Sequence, residues 1–208
     1  MKKSIAFIYL PHPWLKNPDA QLPLGILYLA ALTKEAGYKT TIYNFSSYGD
    51  EDIAQTMEEH SFFAITATSL EIPMANHFGI EIKKLFPKCK LLIGGPGTIT
   101  PEYIDKCFDL IYIGEAERDF TSFLDYFPMY RMTHVCENPV QNLDSLPFPA
   151  RELIHGKLGG EIFAFGKHYT GQESTTIISS RGCPYDCSFC AAPKVKVRLR
   201  DPKMYRVL

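Results

Sequence analysis

The sequence predicts an α/β fold in which an open parallel sheet carries helices on both faces. Three observations lead there. Five short apolar runs rich in β-branched and aromatic residues recur along the first part of the chain, and most are nearly continuous in apolar character, as strands buried on both faces are. Segments with a helical pattern separate them. Glycine or proline directly follows two of those helices, and these are the residues that end a helix.

The first strand is "SIAFIYL", Ser4 to Leu10, halted by Pro11 and Pro13. A helix follows over Leu22 to Ala36; it is apolar around most of its circumference, has Lys34 and Glu35 at its solvent end, and stops at Gly37, so it should be deeply packed. Next come a strand over Thr40 to Phe45, a helix over Asp50 to Glu59, a strand over Phe62 to Ser69, and a helix over Met74 to Phe86 stopped by Pro87. A strand over Lys90 to Gly95, a helix over Pro101 to Cys107, a strand over Leu110 to Glu115 and a helix over Glu117 to Tyr126 complete the alternation. This is the pattern of a Rossmann-like, doubly wound domain over residues 1–131, with ligands expected at the carboxyl ends of the strands. From Met132 the pattern breaks into a stretch rich in Pro and polar residues, read as a linker and irregular arm over 132–173, with a short hairpin or arm at Gly159 to Tyr169. "TTIIS", Thr175 to Ser179, is one further strand, opening a second unit over 174–208.

The chain of 208 residues is long enough to bury a core. Its formal charge of -1 gives no general pull toward nucleic acid or an anionic membrane. The local basic run of Lys194, Lys196, Arg198, Arg200, Lys203 and Arg206 reads as a solvated or buried-anion face rather than a nucleic-acid arm. No apolar run approaches a membrane span, and the N-terminal run lacks a small-residue cleavage site, so a cytoplasmic location is expected. In that compartment the cysteines should be thiols. Cys89 and Cys107 sit in apolar helix and loop contexts and Cys136 is isolated, so each reads as a small core or surface residue.

Cys183, Cys187 and Cys190 form a constellation within "SSRGCPYDCSFC". Gaps of three and then two residues let one loop wrap three sulfurs around a centre, with Gly182 and Pro184 supplying the backbone angles. Two metal chemistries fit. Structural zinc takes four protein ligands and would need a fourth, His168 or another cysteine. An iron-sulfur cluster held by three cysteines instead leaves one iron open. Arg181 and Lys194 would favour the thiolates.

"RGCPYDCSFC" resembles the cluster loop of radical S-adenosylmethionine (SAM) proteins, with its CxxxCxxC spacing and an aromatic residue before the last cysteine. The resemblance implies that Cys183, Cys187 and Cys190 hold a 4Fe-4S cluster whose open iron binds SAM, and that Phe189 packs near the adenine. Upstream, "LPLGILYLAALTKEAGY", "LLIGGPGTITPE", "LIYIGEAE" and "LDSLPFPARELI" follow the order seen in cobalamin-binding radical SAM proteins. That likeness implies cobalamin contacts at Thr68, Ser69 and Leu70, at Gly94, Gly95, Pro96 and Gly97, and at Gly114, Glu115 and Glu117. The DxHxxG motif that gives cobalt a histidine in other cobalamin proteins is absent, so no protein histidine is expected on the metal.

A complete member would reductively cleave SAM and pass a methyl group through methylcobalamin to an unactivated carbon of a small-molecule substrate. An electron donor such as a flavodoxin or ferredoxin would serve it. Few residues follow Cys190, so the chain reads as a truncated member holding the start of a radical SAM partial barrel and incomplete for catalysis. A noncatalytic cobalamin-binding module with a vestigial cluster loop and a zinc-stabilised interaction protein are the competing readings.

Overall fold

The apolar runs become strands packed on both faces, and their helices close over them. The structure, a computed structural model, describes residues 3–10, 12, 14, 22–45, 56–154, 166–167, 173–174, 176–190 and 196–203. Strands β1 (Ser4–Tyr9), β2 (Lys39–Asn44), β3 (Phe62–Thr66), β4 (Lys90–Gly94), β5 (Leu110–Ile113) and β6 (Met132–Val135) form one sheet in the order β2-β1-β3-β4-β5-β6. Every neighbouring pair is parallel, so all carboxyl ends lie along one edge. The chain runs outward from β1 in both directions, which makes the β1/β3 boundary the switch point where a crevice opens.

Among the described residues three helices flank this sheet: α1 (Leu24–Glu35), α2 (Ile72–Leu85) and α3 (Phe120–Asp125). Strand alternation sends Ile5, Phe7, Ala64, Leu92 and Leu110 to one face, where they pack on α1 and α3. Ala6, Ile8, Phe63, Ile65, Leu91 and Ile93 go to the other, against α2. α1 is apolar nearly all round because it is covered twice. The sheet lies under it, while Leu143, Leu146, Ala150 and Ile154 pack over it, and the Ala150 amide donates to the Leu27 carbonyl at 3.0 Å. Its end is the αL turn expected at Gly37 (φ 85°), where the Tyr38 amide reaches back to Thr33 at 3.0 Å and the Gly37 amide to Lys34 at 2.9 Å.

Several elements differ from the sequence expectation. β6 lies in the stretch that reads as linker; its side chains are alternately half-buried and exposed because it is an edge strand with one covered face. Pro101–Tyr103 is a single 3-10 turn. Within the expected arm, β7 (Gly166–Lys167) pairs antiparallel with β8 (Glu173–Ser174), and the rest of Gly159 to Tyr169 lies outside the described residues. Of the expected strand over Thr175 to Ser179, residue 175 lies outside the described residues and 176–179 pair with no described strand; the pairing begins one residue later, where β9 (Ser180–Arg181) runs antiparallel to β10 (Arg198–Leu199). The helix expected over Asp50 to Glu59 lies mostly outside the described residues. Among the described residues no helix is long and apolar enough to cross a membrane.

Candidate functional site

The carboxyl ends of β3, β4 and β5 open a cavity of about 540 Å³ on the α1 face of the sheet. Phe7, Ile26, Leu29, Leu92 and Phe120 give it an apolar floor, and Gly94, Gly95 and Gly114 form one rim. Gly94 continues the alternation of β4 on the Leu92 side, and a Cβ placed there would meet only the Tyr112 carbonyl oxygen, at 3.8 Å. The opposite wall comes from the far end of the sequence: Ile178, Ser180, Arg181 and Gly182. A space of this size, apolar with glycine at its rim and a few polar groups, fits a bulky planar or nucleotide-like part of a cofactor.

The sequence candidates separate into two sets. Gly94, Gly95, Gly114, Glu115 and Glu117 line the cavity. Thr68, Ser69, Leu70, Pro96 and Gly97 lie at the same edge of the sheet but off the cavity wall, and Thr66 lines it instead. Gly97 serves close packing between loops: a Cβ there would lie 2.6 Å from the carbonyl carbon and oxygen of Thr68. Gly95 adopts φ 96°, and its Cβ would lie 2.8 Å from the Ala67 carbonyl oxygen. Thr98, fully buried, fixes this turn by donating towards the carbonyls of Gly95 (2.9 Å) and Tyr112 (2.8 Å). Thr68 has a comparable local role, its amide donating to the buried Glu71 carboxylate at 2.6 Å.

Glu115 and Glu117 carry ion pairs. Arg181 reaches Glu115 at 2.9 Å and Glu117 at 2.7 Å. Arg198 donates to both oxygens of Glu115. Burial pushes the Glu115 carboxyl upward, but the hydrogen bonds and charges of Arg198 and Arg181 outweigh it and hold the group below its ordinary value. Burial alone would lower Arg181; Glu117 and Glu115 reverse the sign. Beside them the guanidinium groups of Arg181 and Arg200 lie 5.4 and 5.3 Å from the centre of the Tyr28 ring, and Arg200 donates to its hydroxyl at 2.8 Å.

Tyr112, which the sequence reading passed over, also lines the cavity. It hydrogen-bonds the Asp119 carboxylate, and burial together with that acceptor raises its pKa. His134 of β6 closes the cluster, 3.3 Å from Asp119 and 4.9 Å from the Tyr112 ring centre. Alternation along β5 from Leu110 was the available signal for Tyr112. Arg181 had only its place beside the cysteines.

Cys183 is half-buried, and Cys187 and Cys190 are exposed on the loop between β9 and β10. Gly182 turns the chain into it at φ 93°, and the Cys190 amide donates to the Cys187 carbonyl at 3.0 Å. Phe189 is 90% exposed. His168 and Lys194, named with this loop from the sequence, lie outside the described residues. Among the described residues no three His, Cys, Asp or Glu side chains are gathered as a metal centre. The donor set itself, three thiols on one short accessible loop, fits iron-sulfur chemistry. By contrast Cys89 is buried, and burial pushes its thiol up to about 11. Burial and then the Asp105 hydrogen bond push Cys107 to about 12. A thiol reagent at pH 8 is therefore expected to label Cys187 and Cys190 rapidly and Cys89 and Cys107 only after unfolding, as mapped by peptide mass spectrometry; fast native labelling of Cys89 would contradict the packing.

A parallel sheet that opens a glycine-rimmed, apolar cavity at the carboxyl ends of its strands defines a cofactor-binding α/β domain. The family model described as the B12 binding domain matches residues 20–124. The chain belongs to that family. Among curated proteins it is similar to the bacteriochlorophyllide d C-8(2)-methyltransferase of Chlorobaculum tepidum, 28% identical over 71% of this chain and 32% of the relative. An uncharacterized methyltransferase of Pyrococcus horikoshii is 26% identical over 82% of this chain and 40% of the relative. The anaerobic magnesium-protoporphyrin IX monomethyl ester cyclase of Synechocystis is 23% identical over 94% of this chain and 44% of the relative. The chain thus spans less than half the length of each of these relatives.

Proposed function

We propose that the chain is the cobalamin-binding part of a radical SAM protein, with Cys183, Cys187 and Cys190 as ligands of a 4Fe-4S cluster. One observation carries the reading: residues leading into the cysteine loop form a wall of the cavity that the B12-binding domain opens. Cobalamin would be held by the rim at Gly94, Gly95 and Gly114 and by the apolar floor of Phe7, Ile26, Leu29 and Phe120. When bound, cobalamin supplies methyl-group carriage, and the cluster with SAM supplies radical generation. The protein's own part would be to exclude water with the apolar floor and to hold the cysteine loop beside the cavity. A methyl transfer to a small-molecule substrate, with electrons from a flavodoxin or ferredoxin, is the activity this reading assigns to the whole protein. Methyltransferases among its relatives support it.

Two measurements test the reading. Hydroxocobalamin titrated into the purified chain should shift the cofactor's visible spectrum on binding. Gly94→Leu, which fills the rim without a close backbone contact at its Cβ, should weaken that binding by about tenfold or more while the protein stays folded. Anaerobic reconstitution with iron and sulfide should yield one 4Fe-4S cluster per chain, lost in the triple cysteine-to-alanine variant. Zinc uptake without sulfide would overturn the cluster assignment, and cobalamin uptake without iron would leave a noncatalytic B12-binding module.

A further inference from the structure

One carboxylate, that of Glu115, bridges the two strands at the base of the cysteine loop. β9 enters the loop and β10 leaves it, with Arg181 opposite Arg198 in the pairing. Two arginines side by side repel unless an anion lies between them. Glu115, at the carboxyl end of β5, supplies it: one oxygen accepts from Arg181 at 2.9 Å and from Arg198 at 3.0 Å, and the other accepts from Arg198 as well. The Arg198 side chain is only 4% exposed, so its charge has been withdrawn from water and depends on this partner. Glu117 takes the remaining arm of Arg181. On the C-terminal flank, Arg200 is tied to Tyr28 of α1, and the Asp201 amide donates to Asp144 at 3.0 Å.

We propose that Glu115 is a positioning residue whose carboxylate, gripped by Arg181 and Arg198, seats the cysteine loop over the cofactor cavity. Its place in the "GEAE" turn is therefore explained by the arginines on either side of the loop. Glu115 also lines the cavity, as do Arg181 and Gly182. The same side chains consequently form the cavity wall and the loop base, so displacing either one moves the other. The use made of that placement rests on the cobalamin and cluster reading above, but the placement itself does not.

Native-state hydrogen exchange on the intact chain, with no cofactor present, tests it. In Glu115→Gln, which keeps the size and loses the charge-assisted bonds, amides of 179–181 and 198–200 should exchange at least about tenfold faster, while those of β3 and β4 keep their protection. The Arg200 amide, which donates to Ser179 at 3.0 Å, is the probe to follow. Arg198→Lys carries the same test with charge retained and the two-pronged grip lost, in case Glu115→Gln loosens the whole fold. Unchanged protection at 179–181 and 198–200 in both variants, or acceleration spread evenly over the sheet in both, overturns the proposal. Failure of the wild-type chain to take up iron would overturn the cluster reading and leave this result standing.

Discussion

Gly97→Ala is expected to destabilise the protein by about 3 kcal/mol. The added methyl would sit 2.6 Å from both the carbon and the oxygen of the Thr68 carbonyl and 2.9 Å from the Ser69 amide nitrogen. These are backbone atoms, so no rotamer change relieves the contact. The loops after β3 and β4 would have to separate, and the Gly97 amide would lose its 2.8 Å bond to the Ala67 carbonyl. Urea unfolding measures the change, as a fall in midpoint at constant slope. Gly25→Ala is the control of opposite sign: its added methyl would meet no neighbouring element within 4 Å, and alanine favours the helix by about 1 kcal/mol. A Gly97→Ala shift below about 0.5 kcal/mol would show that the two loops do not pack as described.

Phe63→Ala should cost about 4 kcal/mol. Phe63 is wholly buried on the α2 face, stacked on Phe86 at 5.4 Å with the His60 ring edge-on at 5.5 Å. Truncation leaves a void that these closely packed rings can fill only in part. For a domain whose total stability is on the order of 5–15 kcal/mol, that is a large fraction, and a fall of about 10 °C in Tm is expected. A fall of less than about 3 °C would mean that the α2 face repacks.

The sheet was legible because its strands are buried on both sides, which leaves an uninterrupted apolar signature, and because Gly37 and Pro87 mark helix ends. β6 was not, since an edge strand such as Met132–Val135 shows neither a continuous run nor clean turn signals. Its pairing to β5 is a tertiary fact. At the site, glycines announced the rim at Gly94, Gly95 and Gly114, but the sequence does not distinguish a glycine with open space beside it, like Gly94, from one, like Gly95 or Gly97, that admits another loop. The partners of Glu115 were equally hidden, because Arg181 and Arg198 lie 66 and 83 residues away.

Those separations have a consequence for synthesis. The sheet can close once the chain through Val135 is available, whereas the cavity gains its last wall from residues 178–182 and the clamp on that wall needs Arg198. Domain assembly proceeds from the N-terminus as the chain emerges. A nascent chain paused between these points would present a closed sheet whose pocket still lacks the wall contributed by residues 178–182.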